Sequence, residues 1–513
     1  MFVIAVGLLG GFSFHAGGFQ SDLGGDPDEA AHAVTSLMVR DYLSDSVGQS
    51  PMKFARAYYE DFPRVALGHY PPLYYCIAGP LLLLRPSTDM LIALQVVTMA
   101  ALATITFILG RHFLPSALAA TASIGVCLLP VALKLTLHVM ADVLLALTCL
   151  WAVTLWADYL RAPSLRKALT WGCVAAAAIL TKGSGIGLCL VPPLGTLLAG
   201  RWCLMMTRSW WCSAVPVAVL AGPWMLYSTK ISKEGMTKLT PWQYLLEALP
   251  FHAKAMPAVF GWPLTLLAVV AVCLGVRTWR KNGKMQPDCA SLISMTVGMS
   301  AVLLLVPVGL TFRYMLTLAP AILLGGAAVL AAAPWSQKGR LGMLASAALL
   351  LILSLAPLQS SDVPPRKAVH GFEAAALKTG IPGIGGHQQK WLVASDPRGE
   401  GAIIAAAAFA CPQRSPSLLR VYRGSKELAR SDWMGRDYQL LHASEASLLK
   451  HLDELQVTRI FLDLSLPESS RADHENRLQA ALESAPALWQ VELEQSITRE
   501  PWHKGRLLVY RRM

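Results

Sequence analysis

The sequence predicts a polytopic α-helical membrane protein followed by a soluble α/β domain. Three observations predict this class. The 513-residue chain is 54% hydrophobic and 15% charged, whereas soluble proteins carry about 25% charged residues. Long apolar runs recur between residues 90 and 357, at 90–109, 116–133, 210–227, 257–276, 290–310 and 340–357. From residue 362 the pattern changes to short apolar runs alternating with amphipathic ones.

The apolar runs approach the roughly 20 residues that a helix needs to cross a bilayer. Residues 1–14 read as the first span, short and as if clipped at its start. No basic residue precedes them, unlike the charged start of a signal peptide. Orientation follows from the basic short loops "DYLRAPSLRK" (158–167), "RWCLMMTR" (201–208), "RTWRKNGK" (277–284) and "WSQKGR" (335–340), which the positive-inside rule places in the cytoplasm. Residues 138–142, 181–185, 229–256, 311–313 and everything after 358 then lie outside. Residues 73–84 are apolar but too short to span, so they read as a juxtamembrane helix. Residues 168–200 read as two short spans hinged at "TKGSG". The expectation is about eleven spans, with the N-terminus inside and the C-terminus outside, in a bacterial inner or plasma membrane.

The domain division is therefore residues 1–358, transmembrane, with a first outer loop at 15–88 that carries juxtamembrane helices, and residues 362–513, an extracytoplasmic α/β domain. In the tail, "KWLVASD" and "SLLRVY" read as strands. "ASLLKHLDELQVTRIFLDL" and "NRLQAALESAPALWQVELEQ" each read as a helix running into a strand, and "RLLVYRR" closes the chain. Alternating helices and strands predict a largely parallel sheet.

The net charge of +12 comes largely from the loop Lys and Arg that set orientation. No basic stretch is interleaved with aromatics, which argues against nucleic-acid binding. The ten cysteines lie mostly inside apolar runs, with no CxxC pair and no zinc spacing.

Ionisable chemistry collects at the predicted outer face. "GGDPDEAAHA" (24–33) follows the first span. Asp26 suits an N-cap, Pro27 the first helical position, and Glu29 a capping box with Asp26. Capping does not need Asp28 or His32, which lie four apart on one helical face. His138 and Asp142 flank a short turn between spans, where Asp142 can cap the next helix. Lys182 in "LTKGSG" and Arg313 in "LTFRYML" are cations on the side that topology depletes. Each can snorkel to headgroups or bind an anion there. His69 and Tyr70 in "GHYPPLYY" join them. Acids suit a general base, and cations suit a phosphate leaving group. Together they point to transfer chemistry on a lipid-linked phosphate.

Four features also carry a family resemblance: "DPDEAAH" after the first span, "HYPPLYY", "HVMADVLLAL" with "AAAAILTKGSGIGLCLVP", and "FRYMLTLAPAILL". In their order and spacing, over roughly residues 1 to 335, the chain resembles the GT-C superfamily of integral-membrane glycosyltransferases, in the branch of the protein mannosyltransferases and the aminoarabinose transferase of lipid A. The resemblance implies a GT-C fold and an inverting transfer. A sugar would move from a polyprenyl-phosphate donor to an acceptor hydroxyl on a glycan, lipid or protein. It matches Asp28 to the catalytic aspartate and Glu29 to its partner. It matches Asp142 to the acid of the second outer loop, and Lys182 and Arg313 to the basic residues at the outer edge of later spans, where they are expected to hold the donor phosphate. Tyr70 is placed with those cations, and His32, His69 and His138 with Asp142 in the rest of the site. One departure stands out. Where the aminoarabinose transferases carry Glu-Lys before the Pro-Pro, this chain has His69 and Tyr70. The donor-facing lysine is absent and the acidic metal-ligand position is a histidine, which counts against lipid A as acceptor. A divalent metal ion remains an open cofactor, with His69 as its candidate ligand. The rival readings are a lipid or sugar transporter or flippase, whose buried charges would line a pathway, and an inactive scaffold.

Overall fold

The computed structural model describes residues 1–359, 365–381, 388–411, 418–432, 435–499 and 503–513. It is an integral membrane protein, mostly helical, with a sheet domain at its C-terminal end. Among the described residues, seven helices are long and apolar enough to cross a membrane: Thr88–Gly110, Asp142–Arg161, Arg208–Glu234, Pro241–Asn282, Pro287–Leu305, Phe312–Ala332 and Arg340–Leu358. The bent pair Ser116–Leu128 and Pro130–Thr136 makes up to eight, its 60° bend falling where Pro130 lacks an N–H to continue the first helix. A total of about eleven is reached only if three shorter helices also cross: Phe2–His15, Leu165–Thr181 and the run Gly183–Leu198.

The expected outer loop 229–256 is instead largely helical. The span that follows it starts at Pro241 and runs 42 residues to Asn282. It kinks at Gly261, whose φ of 75° only glycine adopts without strain. Pro263 removes a further backbone donor beside the kink.

Between α1 (Phe2–His15) and the span Thr88–Gly110 lie three helices: α2 (Pro27–Asp45), α3 (Pro51–Asp61) and α4 (Leu73–Leu84). At about 1.5 Å per residue, the 12 residues of α4 fall well short of a bilayer. It packs on α2 through buried Tyr74, Tyr75 and Leu82.

The tail holds strands β1 (Gln389–Ala394), β2 (Leu419–Arg423), β3 (Ala429–Arg430), β4 (Gln439–Leu440), β5 (Arg459–Asp463), β6 (Trp489–Arg499) and β7 (His503–Arg512). The five-stranded sheet runs β2-β1-β5-β7-β6, and β3 and β4 form a separate pair. The sheet is mixed, not largely parallel. β1 lies parallel to β2 and β5, while β7 lies antiparallel to β5 and β6. β6 and β7 follow each other too closely for a crossover helix, so they pair as a hairpin. The expected domain boundary at residue 362 lies outside the described residues.

The tail shares its core with the first outer segment. Ala30, Val34 and Tyr75 cluster with Trp391, Ile403 and Ile404, all buried. Burying one Ile fully contributes about 1.5–3 kcal/mol, so this contact fixes the tail against α2. Arg420 on β2 adds ion pairs to Glu60 and Asp61 at the end of α3, at 3.2 and 3.3 Å. The start of α2 is therefore held from both sides, by the helix bundle and by the tail.

Candidate active site

The N-terminus of α2 opens onto a cavity of about 600 Å³. One end of the cavity is polar, with Asp26, Asp28, Tyr70, Asp142, Lys182 and Arg313. The rest of its wall is mainly apolar, with residues such as Ile186, Met225, Met299, Val302, Leu303 and Leu310 beside His69 and a few Ser and Thr.

Local sequence explains how each polar group gets there. Asp26 is the N-cap of α2, with extended backbone, and its carboxylate accepts from the Asp28 N–H at 3.0 Å. Pro27 takes the first helical position, as expected. The expected capping box shifts by one residue: Glu29 Oε2 accepts from the Gly25 N–H at 3.1 Å rather than from Asp26. Lys182 is a single extended residue between the helix Leu165–Thr181 and the 3-10 turn that starts at Gly183. Arg313 sits in the 3-10 turn Phe312–Leu318 that opens its span. Breaks in two helices thus aim two cations at one cavity.

Neither cation snorkels. Lys182 is buried, and its Nζ lies 2.7 Å from Asp142 Oδ1. Arg313 bridges two acids: Nη2 donates to Asp28 Oδ2 at 2.7 Å, and Nη1 approaches both oxygens of Asp26 at 3.2 Å. The Tyr70 hydroxyl donates to the same Asp28 Oδ2 at 2.9 Å. Burial raises the Asp28 carboxyl, but the Arg313 guanidinium more than offsets this and holds it at about 2. Burial pushes the Tyr70 phenol well above its usual range, and the Asp28 charge adds to the shift.

The histidines take different places. His32 is buried with Nδ1 2.9 Å from the Tyr75 hydroxyl and its ring edge-on to Tyr70. Burial lowers it to about 4, so it is neutral near pH 7. His138 donates from Nδ1 to the Lys134 carbonyl at 2.7 Å. Its ring lies against the Gly25 backbone, where a Cβ would sit 2.2 Å from Nε2. Only glycine allows that approach. His69 lines the cavity and also a second one of about 1000 Å³.

Glu29 does not line the cavity. It is fully buried and turned to the other side of α2, where it also accepts from the Val139 N–H at 3.3 Å and pairs with Lys367. Sequence reading also did not select Tyr314. Its ring lies 4.3 Å from Lys182 Nζ and 5.5 Å from the Arg313 guanidinium, so it backs both cations. Its place next to Arg313 in "FRYM" was the available signal. Asp26, which its sequence position suits only as a cap, also holds Arg313.

Among the described residues, no group of three or more His, Cys, Asp or Glu is arranged to hold a metal ion. Of the carboxylates near His69, Asp28 is committed to Arg313 and Tyr70, and Glu234 lines only the second cavity with it. With no third such ligand grouped there among the described residues, the side chains present do not fit a divalent ion.

The whole chain superposes on solved membrane transferases. The oligosaccharyltransferase of Archaeoglobus fulgidus, in complex with zinc and sulfate, matches with TM-score 0.57 and 11% identity, over 98% of this chain and 72% of that one. ArnT from Cupriavidus metallidurans, in the apo state, matches with TM-score 0.57 and 13% identity, over 99% of this chain and 97% of that one. The chain has the GT-C fold. The archaeal oligosaccharyltransferase AglB from A. fulgidus, solved with an inhibitory peptide and a dolichol-phosphate, matches with TM-score 0.51 and 12% identity, over 90% of this chain and 69% of that one. No family model matches the sequence, and no curated protein matches it either. Within the GT-C fold of this chain, Asp26, Asp28 and Asp142 share the polar end of one cavity with the two cations.

Proposed function

We propose that the protein is an inverting glycosyltransferase that moves a sugar from a polyprenyl-phosphate donor to an acceptor hydroxyl, at the outer face of the membrane. The observation that carries this reading is the meeting of Asp28 with Arg313 and Lys182 at the polar end of a largely apolar cavity. An isoprenoid tail suits the apolar wall, and its phosphate suits the two cations. The likeness in fold to AglB, which was solved with a dolichol-phosphate, supports the donor class.

In this mechanism the donor phosphate enters and takes up guanidinium donors that Asp26 and Asp28 now occupy. One anion replaces another, so Arg313 stays paired at little cost. Asp28, freed from that cation, becomes a stronger base. It accepts the proton of the acceptor hydroxyl while the hydroxyl oxygen attacks the anomeric carbon. The bond from that carbon to the phosphate oxygen breaks on the opposite face, which gives inversion. The bonding pair leaves with the polyprenyl phosphate, whose charge Arg313 and Lys182 stabilise. Tyr70 orients the Asp28 carboxylate.

The test is sugar transfer by purified full-length protein and its Asp28→Asn variant, with the configuration of the product determined by NMR. An Asp28-dependent product of inverted configuration supports the reading. Transfer at the wild-type rate by the variant rejects it.

A further inference from the structure

Glu29 and Lys367 form an ion pair that is fully closed to solvent, across 338 residues of sequence. Burying a lysine this completely is costly, and a well-packed apolar pair would stabilise the fold as well or better. What distinguishes the pair is its placement. The Glu29 carboxylate accepts from the Gly25 N–H, beside Asp26 and Asp28, and from the Val139 N–H, in the segment that leads to Asp142. One carboxylate thus ties together the two chain segments that bring the acids to the cavity.

Lys367 in turn is fixed by the backbone around it. Its N–H donates to the Ala16 carbonyl at 2.8 Å, and its carbonyl accepts from Ser21 Oγ at 2.9 Å. Gly17, at φ +85°, leaves no room for a Cβ against that carbonyl. Two residues on, the Val369 carbonyl accepts from the Asp22 N–H at 2.8 Å. His370 then exchanges both backbone hydrogen bonds with Thr498 on β6, at 3.0 and 2.9 Å. A continuous set of contacts runs from the tail sheet through Lys367 and Glu29 to the residues that hold Asp28 and Asp142.

We propose that Lys367 is a positioning residue: through Glu29 it sets the segments that carry Asp28 and Asp142, so that the tail completes the site on which the transferase reading rests. The carboxylates must be held closely, because a displacement of about 1 Å can cost on the order of a hundredfold in rate.

The experiment uses the full-length protein in lipid nanodiscs. Hydrogen–deuterium exchange is followed in residues 25–45 and 138–145, together with kcat and donor KM for sugar transfer. In Lys367→Met, both segments should exchange at least about tenfold faster, with kcat down about ten- to hundredfold and KM within about threefold. In the double variant Glu29→Gln/Lys367→Met, which removes both charges but keeps an amide oxygen for only one of the two N–H groups, exchange and kcat should recover at least about threefold of what Lys367→Met loses, without reaching wild type. Wild-type exchange in Lys367→Met overturns the proposal. So does faster exchange with wild-type kcat in a protein that Asp28→Asn inactivates. Should Lys367→Met not fold, Ser21→Ala loosens the same backbone without stranding a charge. It should then speed exchange in residues 25–45 and lower kcat by about two- to fivefold, and no change in either refutes the idea. The exchange arm does not depend on activity. Failure of the transferase reading, seen as wild-type transfer by Asp28→Asn, is therefore distinguishable from failure of the positioning role.

Discussion

Arg313 Nη2 donates to Asp28 Oδ2 at 2.7 Å, so the proposed base is held by the same cation that is proposed to receive the donor phosphate. Burial raises the Asp28 carboxyl and Arg313 outweighs it, leaving the group at about 2. Removing the guanidinium takes away the largest effect that opposes burial, while the Tyr70 hydroxyl still donates to the carboxylate. In Arg313→Gln, the acid limb of kcat/KM should therefore move up in pH. The affinity for farnesyl phosphate, a short polyprenyl phosphate, should fall by about 1.5–3 kcal/mol. A pH–rate profile with isothermal titration checks both. An unmoved acid limb would separate Asp28 from Arg313.

Asp28→Asn keeps an amide oxygen for the Tyr70 hydroxyl and Arg313 while removing the basic carboxylate and its charge. Transfer should drop by about two to four orders of magnitude, the scale of a general base. Gel filtration and the thermal midpoint should stay near wild type. A variant that keeps near-full turnover would move the base elsewhere.

Lys182 and Asp142 are both buried and 2.7 Å apart. Truncating the lysine alone strands the carboxylate. Lys182→Met should therefore destabilise by about 3–5 kcal/mol, and Asp142→Asn/Lys182→Met should recover most of that. Both should bind farnesyl phosphate more weakly, because both lack the cation. A thermal-shift double-mutant cycle reads the stability, and titration reads the binding. A single variant as stable as the double one would deny the coupling.

The membrane class, the tail sheet domain and most of the polar cavity end were legible in the sequence for identifiable reasons. Apolar runs report spans directly. Asp28, Asp142, Lys182 and Arg313 are costly at the ends of apolar helices unless they meet partners, and they do meet. The family resemblance pairs Glu29 with Asp28, but neighbouring residues on a helix point about 100° apart. Asp28 faces the cavity, so Glu29 faces away. Lys367 gave no local signal, since its partner is 338 residues distant. The mixed sheet was hidden because alternating helices and strands fit either direction for β6 and β7. Their short connection decides it. The apolar runs overstate the number of long helices, because stretches such as Phe2–His15 and Gly183–Leu198 form only short ones.

The orientation read from the basic loops puts the tail outside the cell membrane. A reporter fused after Met513 should behave as periplasmic or extracellular. A cytoplasmic reporter would overturn this orientation, and because the tail packs on α2 beside the cavity, the cavity would then open on the cytoplasmic face.

His32 supplies a stability test by pH. Burial lowers its imidazole from the ordinary 6.5 to about 4. Between those values the unfolded chain takes up a proton that the folded chain refuses, so stability falls on acidification. The loss begins below about pH 6.5 and levels off below about pH 4, reaching roughly 3 kcal/mol. The sign is opposite to that of a histidine with a partner for its charge, which would gain stability in acid. His32→Gln removes the titrating group and should flatten this part of the curve, read as the thermal midpoint against pH. Other buried histidines, including His69 and His474, contribute the same sign. The informative quantity is therefore the difference between wild type and variant, not the wild-type slope. Parallel curves for the two proteins would show that His32 does not stay neutral in the folded state. The neutral ring edge-on to Tyr70, and with it the support of the hydroxyl that orients Asp28, would then have to be discarded.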